Sequence, residues 1–183
     1  KVTTIPEGKN HGLVFILDWS GSMNGILPDT LKQLFQLVWF CKKVQIPYEV
    51  YAFTNDSWML DPANANADSD DYRRRCSISD QLLVKEWREN DIQVDGTFRM
   101  VNILSSKQRS KDVDSMMLNL WMTCESFSYR NHGLYFSHPR KFTLSGTPLN
   151  EAIIASKSLV NDLIKTSGVQ KCHVIMLTDG EAH

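Results

Sequence analysis

Two apolar runs constrain this chain more than any other feature. Gly12-Leu13-Val14-Phe15-Ile16-Leu17 carries no polar side chain, and Val174-Ile175-Met176-Leu177 repeats that character near the other end. A strand with one face in water alternates apolar and polar residues. A run without alternation belongs to a strand covered on both faces, the usual state of a parallel strand between helical layers.

The residues between the runs supply those layers. Leu31, Leu34, Phe35, Val38 and Cys41 recur at helical spacing, and Pro47 lies just beyond, where a helix cannot easily continue. Tyr48-Glu49-Val50-Tyr51-Ala52-Phe53 follows as an aromatic and β-branched strand, which completes a βαβ unit. Val113, Met116, Met117, Leu120, Cys124 and Phe127 share one helical face and predict a helix from about Lys111 to Phe127, with the methionines as packing. Phe98 to Leu104 reads as a further strand. Pro148 suits the first turn of a helix, Leu149, Ala152, Ile153, Val160, Leu163 and Ile164 continue its stripe, and Gly168 ends it. Strands alternating with helices predict an α/β fold: a doubly wound, mostly parallel central sheet flanked by helices.

At 183 residues one domain is expected over 1–183, interrupted by a polar insertion at about 61–97. The insertion crowds Asn64, Asn66, Asp68, Asp70 and Asp71 before Arg73-Arg74-Arg75, and a short helix near Leu82 to Trp87 is expected within it. The alternating Asn and Asp residues resemble a Ca²⁺ loop but lack its glycine at the sixth position and glutamate at the twelfth, so a solvated loop is the reading. The arginine run reads as a solvated face. The last apolar strand is followed only by Thr178 to His183, and the chain starts at Lys1; both lead to the expectation that it is part of a longer polypeptide, truncated at the C-terminus.

A net charge of −1 offers no basic footprint for nucleic acid or for an anionic membrane. No apolar run approaches the roughly 20 residues that span a bilayer. Cys41, Cys76, Cys124 and Cys172 form no CxxC pair, and three of them border apolar segments, which predicts free thiols and a cytoplasmic setting. The histidines His11, His132, His138, His173 and His183 form no HExxH pair, and no GxxxxGK[ST] phosphate loop is present.

The chemistry gathers at the strand ends. Asp18 directly follows the first apolar run, and Asp179 follows the last one after Thr178. In an open α/β sheet, ligands bind outside the carboxyl ends of strands where strand order reverses. After Asp18 come Ser20 and Ser22, so oxygen-bearing side chains recur at alternate positions through a turn containing Gly21. Such oxygens are hard ligands, suited to Mg²⁺, and also to Mn²⁺ or Ca²⁺. Each residue has a plainer reading: Thr147 before Pro148 is placed to cap a helix, Ser20 and Ser22 to stabilise a turn, and Asp179-Gly180 to form one. Glu181 and His183 lie near Asp179 in sequence but are not taken as ligands.

Asp18-Trp19-Ser20-Gly21-Ser22 resembles the DxSxS signature of the metal ion-dependent adhesion site (MIDAS) in von Willebrand factor A (vWA) domains. Ser145-Gly146-Thr147-Pro148-Leu149 and Thr178-Asp179-Gly180 are similar to the two later segments of that site, in the same order. The resemblance runs from about His11 to the end, excepting the insertion. It implies Mg²⁺ held by Asp18, Ser20, Ser22, Thr147 and Asp179, with an Asp or Glu of a protein partner completing the coordination. The nearer flavour is that of intracellular bacterial and phage vWA proteins likened to the CobT subunit of cobaltochelatase, which implies an adaptor for a separate MoxR-type AAA+ ATPase in the bacterial or host cytoplasm. Three functions are thereby set against one another: a binding module without catalysis of its own, a subunit of a metal-inserting chelatase, and a haloacid dehalogenase-like phosphatase. The last wants an aspartate where this chain has Ser20.

Overall fold

The computed structural model describes residues 10–55, 98–127, 138–139 and 142–180. The expected insertion, with its acidic run, arginines and short helix, lies outside the described residues, as do Cys76, His132, Glu181 and His183. Within them the order is β1 (His11–Asp18), α1 (Leu27–Val44), β2 (Tyr48–Asn55), β3 (Phe98–Ser105), α2 (Ser110–Phe127), α3 (Leu149–Ser167) and β4 (Lys171–Leu177). The four strands form one sheet in the order β3-β2-β1-β4. β1 pairs in parallel with both β2 and β4, while β3 runs antiparallel to β2. The mostly parallel α/β sheet expected from the apolar runs is what the chain forms.

β1 is the hub. Phe15 and Leu17 pack on one face with Leu31, Leu34 and Val38 of α1 and Val113 and Leu120 of α2. Val14 and Ile16 pack on the other with Ala152 and Leu163 of α3. The strand has no polar face because it has no wet face, and burying each of its large side chains is worth about 1.5–3 kcal/mol. Gly12 serves the same packing: a Cβ there would lie 3.0 Å from Val169 Cγ2 and 3.1 Å from Leu163 Cδ2. β4 has a similar composition but pairs with β1 alone, and Val174 is 37% exposed. Its burial is less complete than an unalternating run predicts, because among the described residues nothing pairs with its outer side.

β3 reads less simply. Its register with β2 passes from Val50↔Leu104 to Tyr51↔Asn102, so Ile103 is an extra residue and both Ile103 and Leu104 reach the same core. The polar Glu49 inside β2 is buried because Ser105 Oγ and Asn102 Nδ2 donate to its carboxylate at 2.8 and 2.9 Å. The described cysteines are free thiols, with Cys41 and Cys124 buried, and burial pushes them up to about 11 and about 12. No described helix is long and apolar enough to cross a membrane.

The helix ends follow local rules with one exception. Gly168 closes α3 in the left-handed region at φ 71°, where glycine carries no Cβ penalty. Gln45 closes α1 at φ 59°, donating its N–H to the carbonyls of Cys41 and Lys42. A left-handed conformation costs an L-residue roughly 1–2 kcal/mol, part of which glycine returns as unfolded-chain entropy. Gln45→Gly is therefore expected to raise the unfolding free energy by about 0.5–1 kcal/mol in urea titrations, and a loss of stability would contradict this account of the cap.

Candidate metal centre

The sheet order sets the site. From β1 the chain crosses through α1 on one face to β2, and β4 joins the other side of β1 after α3 has crossed the opposite face. The carboxyl ends of β1 and β4 thus flank the point where the winding reverses, the crevice in which such sheets bind ligands. Asp18 ends β1, and Asp179 follows β4 by two residues.

Beyond Asp18 the backbone stays bound to its neighbours. Trp19 N donates to Phe53 O at 2.9 Å, and its buried indole Nε1 donates to Phe142 O at 2.7 Å. Ser20 bridges to Ser145, and Gly21 N donates to Ser145 O at 2.7 Å. On the other side of that segment Gly146 N donates to Asn55 Oδ1 at 2.6 Å. The chain then turns into a 3-10 turn at Ser22–Gly25.

This brings the side chains together. Ser20 Oγ lies 3.0 Å from Ser22 Oγ, and Ser22 Oγ donates to Asp179 Oδ1 at 3.1 Å. Thr178 Oγ1 donates to Asp18 Oδ2 at 2.7 Å while accepting from Gly180 N at 3.2 Å. Thr147 is buried, and with Gly21, Ser22, Ser145, Gly146, Asp179 and Gly180 it lines a cleft of about 460 Å³. Its hydroxyl stands outside the hydrogen-bonded chain. It does not cap α3 either: that helix begins without a side-chain cap, Pro148 occupies the cap position, and Leu149 N donates to the Thr147 carbonyl at 2.8 Å. The capping role that sequence alone favours for Thr147 is corrected. Once Pro148 stands at the cap, Thr147 is one residue too early to cap the helix.

Asp18 is incompletely satisfied. It is fully buried, and among the described residues its Oδ1 has no hydrogen-bond partner. Burial pushes its carboxyl above the ordinary range; the Thr178 hydroxyl and the hydroxyl and amide of Ser20 pull it down, and Asp179 pushes it up again. An orphaned carboxylate oxygen of this kind normally has a partner that accounts for it. A hard cation fits the donor set, two carboxylates and three hydroxyls with no sulfur or imidazole. Among the described residues no group of three or more His, Cys, Asp or Glu side chains is placed to hold a metal ion, so an ion here would depend on the serine and threonine hydroxyls.

Sequence reasoning missed Thr178 and Asn55. The hydroxyl of Thr178 was visible beside Asp179, but its use as a donor to Asp18 depends on β1 and β4 being neighbours. Asn55 carried no signal, because its partner is a backbone amide 91 residues away.

The raised carboxyl has a consequence for stability. A group whose folded value is raised favours folding while protonated and loses that contribution as pH rises through the folded value. Asp18→Asn removes the desolvated charge, so in chelator it is expected to match wild type at acidic pH. Above the raised value its unfolding free energy should exceed wild type by on the order of 1 kcal/mol. A variant less stable than wild type in chelator at neutral pH would refute this.

Comparison with protein-family models, with curated proteins and with solved structures found no match to this chain.

Proposed function

We propose that the chain is a divalent-cation-dependent protein-binding module of the vWA type, in which Asp18, Ser20, Ser22, Thr147 and Asp179 hold Mg²⁺. The observation that carries this reading is the buried, unpartnered Oδ1 of Asp18 at the winding reversal, beside hydroxyls and a second carboxylate. When bound, the ion would supply an open coordination position for a partner's Asp or Glu side chain. Two carboxylates match its charge, while the neutral hydroxyls leave it attractive to another anion.

The chain's own residues do the remaining work. Asp18 is fixed by Thr178 and by burial, so its charge needs no reorganisation on binding. Ser20 and Ser22 relay to Asp179, tying the β1 turn to the β4 end. The cleft wall is largely glycine, serine and threonine, open to an incoming side chain. Among the described residues no basic side chain lines it, so recognition of an acidic group there would depend on the cation. The adaptor role beside an AAA+ ATPase and the cytoplasmic setting belong to the same proposal and rest on the sequence resemblance and on the free thiols.

Two measurements test the reading. Mg²⁺ at a hundredfold excess over its Kd should add about 2.7 kcal/mol to the wild-type unfolding free energy. Asp18→Ala should show no such gain. Capture of a partner from native lysate should occur in Mg²⁺, fail in chelator, and weaken after Thr147→Ala. Equal Mg²⁺ response in wild type and Asp18→Ala would sink the site, and capture unchanged in chelator would sink cation-mediated binding.

A further inference from the structure

We propose that Asn55 is a positioning residue for this site: through Gly146 it holds the turn that delivers Thr147. The inference rests on reading the cleft as a cation site. Thr147 needs such a device, because α3 starts without a side-chain cap and its hydroxyl joins no hydrogen bond among the described residues. Backbone placement alone aims it.

That placement comes from two sides. On one, Ser145 bridges to Ser20 and its carbonyl accepts from Gly21 N at 2.7 Å. On the other, Asn55 is the last residue of β2, two beyond the strand partner of Asp18, and its Oδ1 accepts from Gly146 N at 2.6 Å. Asn55 and Gly146 also form an antiparallel bridge. Ser145-Gly146 is therefore held to the ends of both β1 and β2, and Thr147 is the next residue.

The fit is close enough to choose the residue at 146. A Cβ on Gly146 would lie 2.6 Å from Asn55 Oδ1, 2.8 Å from Nδ2 and 3.0 Å from Cγ. Real Cβ atoms do not approach other atoms as closely as 2.6 or 2.8 Å, so a larger residue at 146 would have to push the Asn55 amide out of its present position. Asn55 and Gly146 act as one lock: the side chain supplies the acceptor, and the missing Cβ lets the backbone reach it. Partners of this supporting kind typically change metal affinity 10- to 100-fold when removed.

The test separates positioning from mere structure. Mg²⁺ affinity is measured by calorimetry on wild type, Asn55→Ala and Asn55→Asp, with urea unfolding of each in chelator. Asn55→Ala should weaken Mg²⁺ about 10- to 100-fold while remaining folded, and Asn55→Asp, which keeps the acceptor, should restore affinity. Gly146→Ala should lower the unfolding midpoint, and adding Asn55→Ala to it should recover part of that loss by removing the clash. Amide exchange of Gly146 in chelator should be slow in wild type and at least tenfold faster in Asn55→Ala. Wild-type Mg²⁺ affinity in Asn55→Ala, or unchanged Gly146 exchange, would overturn the proposal. A wild type that binds no Mg²⁺ would overturn the cation reading and the positioning role together, while exchange would still report on the lock.

Discussion

Everything in this molecule depends on β1 being buried on both faces and paired on both edges. A six-residue stretch with no polar side chain can be satisfied only at the centre of a layered sheet, and α1, α2 and α3 are the layers that cover it. Centrality has a chemical result. The first residue able to carry charge after the apolar run is Asp18, and its side chain is fully buried at the carboxyl end of β1, beside β4. The packing that stabilises the fold thus creates the electrostatic cost at Asp18.

That cost is local and one-sided. Thr178 satisfies Oδ2 and Ser20 offsets part of the burial, while among the described residues Oδ1 has no hydrogen-bond partner and Asp179 adds a like charge nearby. Sequences that optimise stability alone do not keep an ionised carboxylate fully buried without a countercharge. Local departures from such rules concentrate at functional positions. Here the departure coincides with hydroxyls at the same strand ends, and the proposed cation would supply the countercharge that the buried carboxylate lacks.

Much of the fold was legible because it follows from periodicity. The unalternating runs marked β1 and β4, the helical stripes placed α1 without its start and gave α2 and α3 nearly to the residue, and Gly168 marked the end of α3. β3 was legible as a strand but not in direction, since its pairing and the extra Ile103 are set by contact with β2 rather than by its own pattern. β4 has the composition of an interior strand, and among the described residues it pairs with β1 alone. At the site, the oxygen-bearing residues were legible as a spaced set. Thr178, Asn55 and the uncapped start of α3 were not, because each is a relation between segments distant in sequence. Thr147 shows the limit: its position before Pro148 fits a cap, and only the helix start at Leu149 shows that its hydroxyl is not used as one.

The groups that shape the cleft are largely not the groups that would touch a cation. Trp19 is fully buried, donates to Phe142 O, and meets the rings of Phe127 and Phe142 edge-on at 6.2 and 6.0 Å. It therefore anchors the approach of the 142–147 segment from within the core, while Gly21 and Asn55 fix its end at the strand tips. The intervening position of the Asp18-Trp19-Ser20 stretch is thus occupied by a side chain that points away from the crevice and holds the opposing loop in place. Alternation along an extended backbone makes this possible: successive side chains face opposite sides, so Asp18 and Ser20 share one side while Trp19 enters the core on the other. One short segment contributes polar groups to the site and an aromatic anchor to the loop that closes it, so packing errors at Trp19 reach Thr147 without touching any oxygen of the site.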